Sequence, residues 1–206
     1  MIPVLSTKRT RGMALPLRDT LRHTYADYLT WTDDERHELI DGIAYVKEPP
    51  APSRFHQELA GELYLQVRSA LEGTSYRAYV APFDVRLPRS AEADDQIDTV
   101  VQPDVLIVCD LEKLDARGMR GGPDWIAEVL SPTTAGHDQI VKVPRYERAG
   151  VREVWLVHPT DRILTIYRLD NGRYGQPAVL ELKDRTAIGA IPEVSIDWDR
   201  VVARLA

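Results

Sequence analysis

Two short apolar runs in the middle of the chain each come with an acidic residue, and this pattern strongly restricts the fold. The run 105–108 follows Pro103-Asp104, and the run 125–130 contains Glu128. Such runs, bounded by turn residues, are typical of buried strands. Because burial of an uncompensated carboxylate is costly, Glu128 needs a cation or hydrogen-bond donors beside it. The pattern predicts two adjacent strands that bring two acids to one metal site, and their separation allows antiparallel pairing with an excursion between them.

The N-terminal part of the sequence is predicted to form a hairpin followed by a helix. Asp41-Gly42 separates the stretches 36–40 and 43–46, and Asp-Gly is the strongest short hairpin signal. Ser53 is a good cap for a helix over 53–72. Apolar residues spaced four apart give this helix one buried stripe, formed by Phe55, Leu59, Leu63, Val67 and Leu71.

Further strands and one more helix follow this part. The stretch 76–87 reads as one strand, and the acidic loop 92–98 after it is expected to be solvated and mobile. A helix is predicted over 138–149, where Gly150 ends it. The remaining predicted strands are 153–157, 163–167 and 179–182, with a hairpin turn at Asn171-Gly172. The fold class is therefore mixed α/β. Residues 1–30 are expected to form an arm and a short helix, and residues 31–206 a single domain.

Composition narrows the class of protein. A chain of 206 residues with 44% hydrophobic and 28% charged residues suits one globular domain. Its single cysteine, Cys109, excludes an internal disulfide framework, and no apolar stretch is long enough to span a bilayer. A cytoplasmic location without membrane association is expected. The net charge of −6 argues against strong non-specific adhesion to nucleic acid, but it leaves room for a local basic groove.

The order of elements and motifs resembles a known family. It is similar to the PD-(D/E)XK superfamily of restriction-endonuclease-like nucleases, and within it to the Uma-type family of candidate endonucleases of bacteria. The resemblance covers about Glu38 to Leu169, and it implies an αβββαβ core with an N-terminal hairpin and C-terminal strands. The matching residues are Glu38-Leu39-Ile40-Asp41-Gly42, His56, Gln102-Pro103-Asp104-Val105, Glu128-Val129-Leu130-Ser131-Pro132-Thr133-Thr134, Asp138, Lys142, Tyr146 and Ala149-Gly150-Val151-Arg152-Glu153-Val154-Trp155.

The resemblance implies a metal centre at the two strand acids. Asp104 and Glu128 would supply hard oxygen ligands suited to Mg²⁺ or Mn²⁺, with the backbone carbonyl of Val129 as a further ligand. A structural alternative is that Asp104 caps the turn after Pro103 and that Glu128 pairs with an arginine.

One departure from the superfamily pattern concerns the catalytic lysine. The superfamily places a lysine two residues after the glutamate, where this chain has Leu130. In the Uma-type pattern the lysine lies on the following helix, and Lys142 occupies that place. Pro144 predicts that Lys142 lies at a kink or in a first helical turn. The alternative is a solvated helix lysine.

Three further residues are placed near the site by the resemblance. Glu38 would come from the hairpin and assist the metal, unless it is a half-exposed strand acid. His56 would contact a phosphate or orient a carboxylate, although a histidine in a first turn is often a surface residue. Tyr146 is expected at the substrate, and it shares a helix face with Lys142 and Asp138. Trp125 and Trp155 are expected in the core.

These residues favour a metal-dependent endonuclease that hydrolyses DNA phosphodiester bonds. The alternative is a catalytically inactive nucleic-acid-binding or regulatory module with the same fold, and a partner-binding protein with a merely stabilising acid cluster has less support. The resemblance also implies a homodimer, for which strands 163–167 and 179–182 offer exposed edges.

Overall fold

The computed structural model describes residues 21–31, 36–46, 53–131 and 135–203. Its α-helices are α1 (Tyr25–Tyr28), α2 (Arg54–Ala70), α3 (Val143–Arg148) and α4 (Trp198–Val202), with a π-helical stretch at His137–Lys142 and 3₁₀ turns at Asp94–Gln96 and Leu111–Lys113. Its strands are β1 (His37–Ile40), β2 (Ile43–Val46), β3 (Arg77–Val80), β4 (Val85–Arg86), β5 (Val100–Val101), β6 (Val105–Val108), β7 (Leu114–Asp115), β8 (Gly118–Arg120), β9 (Trp125–Val129), β10 (Glu153–His158), β11 (Ile163–Asp170), β12 (Arg173–Tyr174), β13 (Ala178–Glu181), β14 (Arg185–Ile188) and β15 (Ile191–Asp197). Residues 1–20 of the predicted arm and residues 132–134 of the family pattern lie outside this description.

A central mixed sheet organises the fold, in the order β12-β11-β10-β9-β6-β3 with β13 also on β11. The two strands that follow the acid pattern, β6 and β9, are antiparallel neighbours, and β9 pairs in parallel with β10. Along the chain, α2, β3, β6, β9, α3 and β10 give the αβββαβ order. This confirms the mixed α/β fold and the antiparallel pairing that the sequence predicts.

Apolar side chains cover both faces of the central sheet. One face packs against α2, β15 and α4 around Trp125 and Trp155, which are both fully buried as predicted. The other face packs against α3 and a second sheet of order β2-β1-β5-β4-β8-β7. Glu128 alternates with Ala127 along β9, and it therefore points with Ile126 toward α3 and the second sheet.

The predicted hairpin brings β1 into the second sheet. Its register pairs Ile40 with Ile43, and the turn residues Asp41 and Gly42 both have positive φ, as a two-residue type I′ turn requires. β1 also pairs with β5 through Leu39 and Val100. The hairpin prediction is confirmed, and the pairing with β5 carries Glu38 toward the central sheet.

Helix α2 begins where the sequence predicts. The Ser53 hydroxyl accepts a hydrogen bond from the His56 amide at 3.2 Å, which caps the first turn. Leu59, Leu63 and Val67 of the predicted stripe are fully buried against the central sheet, and Leu71 is nearly so. Phe55 is different, since 43% of it remains exposed at the start of the helix. Its assignment to the core was wrong.

The helix predicted over 138–149 has two parts. The π-helical stretch His137–Lys142 leads into α3, and Pro144 lies in the first turn of α3, where its missing amide hydrogen does little harm. Gly150 ends the helix with positive φ, as predicted. Lys142 therefore lies at the junction of the two parts.

The structure corrects three other predictions. The single strand over 76–87 is split between two sheets, because Pro82 follows β3 and has no amide hydrogen to donate to a ladder. The acidic loop is tied down by arginines, with Asp94 bound to Arg86 and Arg120. β11 is also not an edge, since it pairs with β10 on one side and with β13 on the other.

No helix among the described residues is long and apolar enough to cross a membrane.

Candidate active site

The acids of β6 and β9 lie at the same end of the strand pair. Val105 is paired with Ala127, so the register continues to Asp104 opposite Glu128, and directly opposed residues share a face of an antiparallel pair. The Asp104 carboxylate accepts a hydrogen bond from the Val129 amide at 2.8 Å. Asp104 and Glu128 are 7% and 1% exposed. The turn that follows Pro103 thus holds Asp104 against the backbone of the strand that carries Glu128.

Lys142 lies at the centre of a group of carboxylates. Its Nζ is 2.6 Å from Glu128 Oε1, 3.1 Å from Glu38 Oε1 and 3.4 Å from Asp138 Oδ1. The whole side chain is buried, which excludes the alternative of a solvated helix lysine. Burial by itself lowers the pKa of the Lys142 ammonium, but the charges of Glu128 and Glu38 outweigh it and hold this pKa well above its usual value. The lysine is therefore charged at neutral pH.

Tyr146 supports Glu128 from one helical turn beyond Lys142. Its hydroxyl donates to Glu128 Oε1 at 2.5 Å, and its ring centroid is 6.0 Å from Lys142 Nζ. Burial and the charge of Glu128 raise the pKa of Tyr146 well above its usual value, so the phenol remains a donor. Tyr146 is fully buried. The structure thus places it beneath the strand acid, where it positions Glu128.

Glu38 of β1 completes the group from the second sheet. Its Oε1 accepts a hydrogen bond from the Gln102 amide at 2.9 Å, and His137 Nε2 lies 3.5 Å from its Oε2. Glu38 is fully buried, so the alternative of a half-exposed strand acid is excluded. We call Glu38, Asp104, Glu128 and Asp138 the acid cluster.

His56 approaches the acid cluster from the first turn of α2. Its Nε2 is 3.0 Å from Asp104 Oδ2, the oxygen that also accepts the Val129 amide. The capping of α2 by Ser53 fixes the helix start and thereby the position of the imidazole. His56 is thus placed to orient the Asp104 carboxylate.

The acid cluster has the chemistry of a hard-cation site. All four carboxylates are buried, and three of them lie within 3.4 Å of the Lys142 ammonium. Among the described residues, no three His, Cys, Asp or Glu side chains form a ready-made metal cage. Mg²⁺ does not need one, because it keeps several waters and uses one or two carboxylates. The donor set of Asp104 and Glu128 therefore fits a Mg²⁺ or Mn²⁺ ion.

A pocket of about 400 Å³ opens beside the acid cluster. We call it the flank pocket. It is bounded by the start of α2, the end of β9 and the loop between β10 and β11. Its lining includes Ser53, Phe55, His56, Val129, Thr160 and Arg162. His56 lines this pocket and contacts Asp104, so the pocket adjoins the acid cluster.

Two contacts of Glu38 were missed by the sequence reasoning. The Gln102 amide gave no signal, because any residue supplies a backbone donor. His137 precedes Lys142 by five residues, and an α-helix does not place residues with this spacing side by side. In the π-helical stretch both residues reach Glu38. Pro144 is the only sequence feature that hinted at an irregular helix here.

The fold and the buried acids define a restriction-endonuclease-like protein. A family model described as "Putative restriction endonuclease", Uma2, matches residues 25–199, and the chain belongs to this family. A crystal structure described as a "putative nuclease belonging to DUF820" from Anabaena variabilis ATCC 29413 is similar in fold, with a TM-score of 0.70 and 17% identity. The alignment covers 89% of this chain and 99% of that one. No curated protein matches the sequence.

Proposed function

We propose that this protein is a metal-dependent endonuclease that hydrolyses DNA phosphodiester bonds. The observation that carries the proposal is the geometry of the acid cluster. Glu128, Glu38 and Asp138 lie within 3.4 Å of the Lys142 ammonium, and Asp104 lies opposite Glu128 at the end of the neighbouring strand. Membership in the Uma2 family supports the same reaction class. A group of buried carboxylates beside an open pocket suits a site that works with a divalent cation.

Asp104 and Glu128 are the proposed ligands of Mg²⁺ or Mn²⁺, with the backbone carbonyl of Val129 beside them. When bound, the ion would supply an acidified water and would neutralise the charge that develops on the phosphate oxygens. The protein holds these carboxylates in place beforehand. The Val129 amide and His56 fix Asp104, and Tyr146 fixes Glu128. This preorganisation avoids rearrangement during the reaction.

Lys142 is the proposed electrostatic stabiliser, in place of the lysine that the superfamily has at Leu130. Its Nζ lies 2.6 Å from Glu128, so its charge is next to a proposed metal ligand. Glu38 assists by holding the ammonium at 3.1 Å. His56 lines the flank pocket and is proposed to meet the substrate, while Tyr146 acts through Glu128.

A second candidate is a catalytically inactive nucleic-acid-binding or regulatory module. One observation favours it: the ammonium of Lys142 lies within 3.4 Å of Glu128, Glu38 and Asp138, where it compensates these carboxylates without an ion. A chain that has lost catalysis while keeping the fold could be stabilised in this way.

We further propose a cytoplasmic homodimer that acts on DNA and not at a membrane. β13 is a better edge for the dimer than β11, because Val179 and Leu180 of β13 are 61% and 42% exposed. Light scattering of the purified protein should return twice the mass of 23.3 kDa. A monomer mass at all protein concentrations would contradict the dimer.

Cleavage of labelled DNA decides between the two functions. The assay uses a duplex, a branched substrate and a single strand, each with Mg²⁺, Mn²⁺ or Ca²⁺. We expect turnover with Mg²⁺ or Mn²⁺, none with Ca²⁺, and loss of turnover in Asp104→Asn. Asp110→Asn is the matched control, since Asp110 lies beyond the other end of β6 and is exposed. DNA binding without cleavage of any substrate would instead select the inactive module.

A further inference from the structure

The flank pocket has an aromatic wall that the packing of the protein does not require. Phe55 continues the apolar stripe of α2, yet it is 43% exposed while the rest of the stripe is buried. The chain has only two phenylalanines, and the other, Phe83, stacks on Tyr79 with ring centroids 4.1 Å apart. The aromatic ring of Phe55 therefore lines the pocket and leaves part of its apolar surface exposed to water.

A neighbouring cation contacts the ring of Phe55. The guanidinium of Arg54 lies over it, 4.5 Å from the ring centroid, and Arg54 is itself paired with Glu58 at 3.2 Å one turn further along α2. A cation above the ring leaves the remaining exposed ring surface available for a planar group.

The rest of the flank pocket suits a nucleotide. Arg162, in the loop between β10 and β11, brings a positive charge to its rim, and Thr160 and Ser53 bring hydroxyl groups. His56 and Val129 connect the same pocket to Asp104. A group bound here would be adjacent to the acid cluster. Its chemistry should combine a flat ring for Phe55 with a phosphate for Arg162.

We propose that the flank pocket holds an unstacked nucleobase of the DNA strand, with Phe55 as its stacking platform and Arg162 at its phosphate. The inference rests on the proposed endonuclease function, since it places the adjacent phosphodiester at the acid cluster. In an intact duplex both faces of a base are already stacked, so the base must leave the stack before it can reach Phe55. The protein should therefore prefer single strands, flaps or frayed ends to a blunt duplex.

The test is a binding experiment in Ca²⁺, where no cleavage is expected. The probe is a short single-stranded DNA carrying 2-aminopurine, whose fluorescence is quenched when the base stacks on an aromatic ring. We expect saturable quenching with the wild-type protein. Phe55→Ala should weaken binding by about five- to a hundredfold and remove the quenching. Phe55→Tyr should keep both, because it preserves the aromatic ring.

Leu65→Ala is the matched control, since Leu65 lies on the same helix and is 49% exposed but does not line the pocket. Circular dichroism establishes that all variants are folded. Equal affinity and quenching for Phe55→Ala and Leu65→Ala would overturn the inference, as would tighter binding of a blunt duplex than of the single strand. Quenching that depends on Phe55 in a protein that cleaves no DNA would uphold the nucleobase pocket and refute only the endonuclease.

Discussion

Replacement of Lys142 by methionine tests whether this lysine compensates the acid cluster. Methionine has a similar length and keeps the buried volume filled, but it leaves Glu128, Glu38 and Asp138 without the ammonium that lies 2.6, 3.1 and 3.4 Å from them. Removal of one partner from a buried ion pair costs about 3–5 kcal/mol. The free energy of unfolding of a domain is about 5–15 kcal/mol in total. Lys142→Met should therefore still fold, but with little stability left.

Urea unfolding at neutral pH measures this effect. The midpoint of Lys142→Met should fall well below that of the wild type with an unchanged m-value. Lys183→Met is the control, because Lys183 pairs with Glu181 in solvent and its loss should leave the midpoint where it was. Mn²⁺ should restore part of the lost stability, by about 2.7 kcal/mol at a concentration of a hundred times its Kd. A midpoint no lower than that of Lys183→Met would refute the reasoning.

Two further variants probe groups around the cluster. Tyr146→Phe removes the hydroxyl that donates to buried Glu128. Urea unfolding should show that the free energy of unfolding falls by about 1.5–3 kcal/mol. An unchanged free energy would mean that this hydrogen bond does not stabilise the protein. Asp41 is partly buried, which raises its pKa, but hydrogen bonds from Arg145 and the charges of Arg148 and Arg89 outweigh this and lower it below 3.8. Because the folded-state pKa is lowered, the stabilisation by Asp41 is present above pH 3.8 and lost as the pH falls through the folded value. The stability gap between wild type and Asp41→Asn, roughly 1 kcal/mol at neutral pH, should therefore close in acid, and a gap independent of pH would contradict this.

Much of the acid cluster could be predicted because it follows from strand geometry. Asp104 directly precedes one apolar run, and Glu128 lies inside another. A buried carboxylate in such a position needs a cation or hydrogen-bond donors beside it. Pairing of the two strands then places the two acids opposite each other, in agreement with the observed register of β6 and β9. The hairpin at Asp41-Gly42 was equally clear, since positive φ at both residues is what Asp-Gly favours.

Other features depend on tertiary contacts that local patterns do not encode. The π-helical stretch carries Lys142 and His137 to Glu38, although neither residue signals that geometry. Phe55 fits the four-residue spacing of the apolar stripe of α2, but it lines the flank pocket and is 43% exposed. The split of strand 76–87 is different, because the sequence itself shows Pro82, which cannot donate a hydrogen bond in a central ladder.

Calorimetric titration with Mn²⁺ tests most directly whether the acid cluster is a metal centre. The wild-type protein is expected to bind Mn²⁺, with Mg²⁺ competing for the same site. Glu128→Gln should lose this binding, since it removes the charge of one proposed ligand while keeping its shape. Glu112→Gln, which changes an exposed acid outside the cluster, should bind as the wild type does. Absence of Mn²⁺ binding in the wild type, or unchanged binding in Glu128→Gln, would contradict the metal centre and with it the proposed reaction.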